Sequence, residues 1–90
     1  MALERESKVA MLLGKSEYMN VAQLAYVVIN SAPNGVDTSA LLAKIWARKP
    51  ETPAEEIYKA AIILRDMGYV RFDDGQWYAP GPTPVVWKNL

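Results

Sequence analysis

The chain has 90 residues, a size that fits one domain, and 51% of them are hydrophobic, enough for a packed core and too many for a disordered segment. Ten Lys and Arg balance ten Asp and Glu, so no net positive field draws the molecule onto a polyanion, and nucleic-acid contact would have to come from a local patch. The absence of cysteine and histidine excludes disulfides, thiolate metal sites and imidazole acid–base chemistry.

Over about 2–14, Leu3, Val9, Leu12 and Leu13 have loosely helical spacing, and Gly14 ends the run. Glu4, Arg5, Glu6 and Lys8 precede a very short apolar stretch, unlike a signal peptide, and nothing approaches the ~20 apolar residues of a membrane span. A cytoplasmic, soluble protein is expected. Gly14-Lys15-Ser16 lacks the earlier glycine of a phosphate-binding loop, since position 9 is Val9.

Asn20 is a candidate cap for the next helix, where Val21, Leu24, Ala25 and Val28 recur at helical spacing. Tyr26, Val27 and Ile29 widen that stripe, which predicts burial on more than one side. Ser31-Ala32-Pro33-Asn34-Gly35 is a turn signal, and Asp37, Thr38 or Ser39 can cap a second helix with Leu41, Leu42, Ile45 and Trp46 on its apolar face. Lys49-Pro50 ends it, because a residue before proline avoids the α region.

Thr52-Pro53-Ala54-Glu55 predicts a capping box at the start of a third helix, and Gly68 predicts its stop. Asp74-Gly75 suits a two-residue hairpin turn. That turn sets Asp73 opposite Gln76, Phe72 opposite Trp77, Arg71 opposite Tyr78 and Val70 opposite Ala79. Alternation then buries Val70, Phe72, Trp77 and Ala79 and leaves Tyr69, Arg71 and Tyr78 on the other face. Pro80, Pro82 and Pro84 favour an extended tail over 80–90, ending in the apolar Val85, Val86 and Trp87.

The fold expected is mainly α with a C-terminal β-hairpin: one domain over 1–79, including the N-terminal helix, then the tail. The element order, and the stretch Ile57-Tyr58-Lys59-Ala60-Ala61-Ile62-Ile63-Leu64-Arg65-Asp66-Met67-Gly68-Tyr69-Val70, resemble the winged helix-turn-helix superfamily over about Asn20 to Ala79. The resemblance implies that the helix from Pro53 to Met67 enters a DNA groove and that Asp73-Asp74-Gly75 forms the wing tip. It places Tyr58 and Lys59 near bases, and Lys44, Arg48, Lys49 and Arg71 on phosphates. A small DNA-binding transcriptional regulator, acting as a dimer on double-stranded DNA, is the function it implies.

The residues themselves also point elsewhere. The third helix opens with Glu55 and Glu56, the wing tip carries two aspartates, and the helix side opposite the core shows Glu55, Tyr58, Ile62 and Arg65, where a DNA reader favours Arg, Lys, Asn, Gln, Ser or Thr. Tyr58 and Ile62 form an apolar spot suited to a protein contact, or to coverage by the chain's own extensions. The cations near the end of the second helix suit phosphates, or simply the C-terminal end of a helix dipole. Arg71 between two phenols suits stacking on bases or an ordinary cross-strand pair. Val85, Val86 and Trp87 suit addition to a neighbouring sheet edge, or packing on their own domain. The alternative to DNA binding is therefore a protein–protein interaction module on the same scaffold. Asp73-Asp74 and Glu55-Glu56 have no accompanying base, nucleophile or metal-ligand spacing, so neither enzyme activity nor a cofactor or metal is expected. Trp46 and Trp77 are expected in the core.

Overall fold

Asn20 caps the first helix of the described residues. Its side-chain oxygen accepts from the Gln23 amide at 2.8 Å, and the Gln23 side chain accepts from the Asn20 amide at 3.1 Å, a reciprocal box that satisfies two free donors. The structure, a computed structural model, describes residues 20–90; the helix expected over about 2–14 and the Gly14-Lys15-Ser16 stretch lie outside the described residues. Helix α1 (Val21–Asn30) buries Leu24, Ala25, Tyr26, Val28 and Ile29, the wide stripe expected of an element packed on more than one side.

After the turn, Val36–Asp37 forms a short strand, β1, where only a lead-in to the next helix was expected. Two residues are too few to show an alternating pattern, and Asp37 has a second duty. Its carboxylate accepts from the Ala40 amide at 2.7 Å, capping helix α2 (Thr38–Trp46), which buries Leu41 and Ile45. Helix α3 (Ala54–Asp66) packs chiefly on α1 and buries Ile57, Ala60, Ala61 and Leu64.

The expected capping box at α3 does not form. Pro53, not Thr52, is the cap residue, and no side chain bonds the first turn. Thr52 is buried instead, and its carbonyl accepts from the Trp46 indole nitrogen at 2.7 Å. The α2–α3 connection is thereby held by an indole, and Trp46 lies at the surface, 38% exposed, where a core position was expected.

The end of α3 follows the glycine signal. Gly68 has φ +80°, the Tyr69 amide reaches the Leu64 carbonyl at 2.9 Å, and the Gly68 amide reaches that of Arg65 at 2.9 Å. This double bond pattern brings the side chain after the glycine onto the last turn of the helix, which is why Tyr69 is buried against expectation. Strand parity starts only at Arg71, beyond this cap.

Strands β2 (Arg71–Asp73) and β3 (Gln76–Tyr78) pair in the expected register, joined by Asp74 and Gly75 with φ of 51° and 77°. The sheet is antiparallel with order β1-β3-β2, and Val36 pairs with Trp77. Trp77 therefore sits in the central strand, is buried, and donates from its indole nitrogen to the Thr38 hydroxyl at 3.1 Å. Phe72 shares its face but belongs to an edge strand. It leans on Trp77 with ring centroids 4.6 Å apart and stays 43% exposed, so of the four expected inward residues only Val70 and Trp77 are fully buried.

The tail is not a free extended arm. The Gly81 amide donates to the Tyr69 carbonyl at 2.7 Å and the Thr83 amide to that of Gly68 at 2.8 Å, so the tail lies beside the exit from α3. It ends in a short 3-10 turn, Trp87–Asn89, with Trp87 set edge-on to Tyr26 at 5.7 Å and the Asn20 side-chain amide donating to the Leu90 carbonyl. Val85, Trp87 and Leu90 pack against the core.

Candidate interaction surfaces

Spacings of three, four and three residues place Glu55, Tyr58, Ile62 and Arg65 in one stripe on α3, turned away from the buried stripe of Ile57, Ala60, Ala61 and Leu64. All four are exposed. Tyr58 and Ile62 retain 44% and 42% of their surface, so neither is covered by the C-terminal tail, whose Trp87 meets Tyr26 on α1 instead. Ile63, also exposed, lies off this stripe toward the edge of the core.

The six candidate cations fall into three settings. Lys44 and Arg48 border a shallow depression of about 210 Å³ floored by Val27, Val28 and Ser31, on the flank of α2 turned toward the end of α1. Trp46 leaves the other flank, toward the start of α3. Arg48 also donates back to the Lys44 carbonyl at 3.4 Å, and Lys49 is half-buried with its carbonyl bound to the Thr52 amide. On α3, Lys59 pairs with Glu55 at 3.3 Å and Arg65 with Asp66 at 3.7 Å, both pairs exposed and worth at most about 1 kcal/mol. On the sheet, the Arg71 guanidinium lies over the Tyr78 ring at 5.3 Å. Tyr69 is buried and takes no part in that face.

Charge is distributed unevenly along α3 and the hairpin. Between Ala54 and Gln76 five carboxylates, Glu55, Glu56, Asp66, Asp73 and Asp74, outnumber three cations, Lys59, Arg65 and Arg71. A duplex carries a charge every ~1.7 Å of axis, and this surface would meet it with like charge.

The tail residues singled out in the sequence divide. Val85 and Trp87 are half-buried against their own domain, whereas Val86 remains 41% exposed. The Tyr26 ring beneath Trp87 is buried, and that burial raises its phenol above the ordinary 10.0. Sequence reasoning missed this Tyr26–Trp87 contact; the surplus apolar width of α1 was the available signal for it.

Among the described residues no three or more carboxylate or other ligating side chains gather as a metal site, and no helix is long and apolar enough to cross a membrane. Comparison of the chain with protein-family models, curated proteins and solved structures finds no match.

Proposed function

We propose that this chain is a winged helix-turn-helix domain acting as a protein-interaction module, with the outer stripe of α3 as its contact surface. The element order supports the fold reading: helix, short strand, two helices and a hairpin, with β1 beside β3. The observation that carries the functional reading is the exposure of Tyr58 and Ile62 one turn apart, on the element that would otherwise enter a groove. An aromatic and an aliphatic side chain there gain from an apolar partner surface and offer no specific hydrogen bonds to base edges apart from the phenol hydroxyl.

A second reading, a DNA-binding regulator, is supported by Lys44 and Arg48 standing together at the depression beside α1. Titration of duplex DNA with the full chain at low salt separates the two. The protein-contact reading expects at most weak binding that Tyr58→Ala and Lys59→Ala leave unchanged. Tight binding with a steep salt dependence, lost on those substitutions, would replace it with the DNA reading.

A further inference from the structure

The stripe on α3 has a symmetry of its own. Read forward it runs acid, aromatic, aliphatic, base; its spacings, three, four and three, are the same read backward. We propose that the partner of this face is a second copy of the chain, the two α3 helices meeting antiparallel across a twofold axis at the level of Ala60. The proposal rests on the reading of this stripe as a protein contact and names its occupant.

A twofold interface requires that if residue i meets j, then j meets i. About Ala60, Tyr58 of one copy lies opposite Ile62 of the other, and the pair repeats by symmetry. Glu55 lies opposite Arg65 of the second copy, also twice. The apolar residues are central and the charges peripheral, the arrangement of a small interface with a polar rim. Parallel pairing is disfavoured, because it sets Glu55 against Glu55 and Arg65 against Arg65. An unrelated partner has no need of a pattern that complements itself on reversal.

The intrachain pairs do not oppose the exchange. Glu55 and Lys59 keep 79% and 70% of their side-chain surface and Arg65 and Asp66 keep 46% and 69%, so their present ion pairs are solvated and readily replaced. The stripe is narrow, and the dimer is accordingly weak and concentration-dependent.

Sedimentation equilibrium of the full chain at low ionic strength tests the proposal, with circular dichroism confirming that each variant folds. The wild type is expected to show a reversible monomer–dimer equilibrium, and Tyr58→Glu only monomer. Glu55→Arg alone and Arg65→Glu alone each place like charges opposite one another twice and weaken the dimer about tenfold or more. Mixed in equal amounts, the two variants are complementary at both contacts, and the association returns as a heterodimer. A wild type that stays monomeric at every concentration overturns the proposal, whether segment 1–19 or nothing occupies the stripe. Charge variants that associate like the wild type, or a mixture that gains nothing over its components, also overturn it. A monomeric chain that does not bind DNA removes only the second copy; DNA binding lost with Tyr58→Ala removes the protein-contact reading beneath it.

Discussion

Two helices in this domain offer more apolar surface than a three-helix bundle can hide, and the chain treats them differently. On α1 the excess is covered from within. Trp87 meets Tyr26 edge-on, Val85 and Leu90 join the core, and two backbone bonds moor the tail to the end of α3. On α3, Tyr58 and Ile62 are left open although the same tail passes the end of that helix. The contrast shows how a small domain extends a thin core with its own tail, and it singles out the α3 stripe as surface the described chain leaves for something else.

The comparison is broken most strongly on the sealed side. Trp87→Ala removes the half-buried indole over Tyr26 and is expected to cost about 2–3 kcal/mol, lowering the thermal midpoint by roughly 10 °C or more. Gly81→Ala acts on the same seal through the backbone. A Cβ there would meet the Gly68 carbonyl oxygen and lie 2.7 Å from the Tyr69 carbonyl carbon, so the tail must shift, at a cost of about 1–3 kcal/mol. Tryptophan fluorescence in a denaturant titration reads both, and an unchanged midpoint would show that the tail does not seal the core.

A smaller effect sharpens the same point. Burial holds the Tyr26 phenol above its ordinary 10.0, so below about pH 10 folded and unfolded chains both keep the proton and this group leaves stability independent of pH. As pH rises past that value the unfolded chain loses the proton first, and the folded state is progressively destabilised up to the phenol's own, higher pKa. Tyr26→Phe is expected to flatten the decline of the melting midpoint above pH 10. Identical alkaline profiles would place the loss on other groups.

The smallest stability effect belongs to the open side. Tyr58→Ala and Ile62→Ala are expected to change the unfolding free energy by no more than about 0.5 kcal/mol under dilute conditions, because neither fills the core. A loss comparable to that of Trp87→Ala would mean that the stripe is structural after all.

Much of this was legible in local signals, and what was not has physical causes. Asn20, Gly68 and Asp74-Gly75 act where their backbone chemistry says they should, since caps and positive-φ turns are decided by a few adjacent residues. The hairpin register followed from the turn alone. Three features depended on distant partners. Strand β1 exists because β3 lies beside it, and two residues carry no periodicity of their own. Thr52 forgoes its capping role where its carbonyl receives the Trp46 indole. Phe72 and Tyr69 exchange their expected burial because strand order leaves one at an edge and the helix cap folds the other inward. At the candidate surface, the α3 stripe was readable from helical spacing, whereas the dispersal of the cations and the destination of Trp87 required the tertiary arrangement.

The central claim is that α3 is the open side and α1 the sealed one. Backbone amide NMR shifts of the full chain, followed from dilute to concentrated solution, test it residue by residue. The account predicts concentration-dependent shifts centred on 55–65, with Tyr26 and Trp87 unmoved. Shifts centred on the tail and α1, or none on α3 at any concentration, would contradict it.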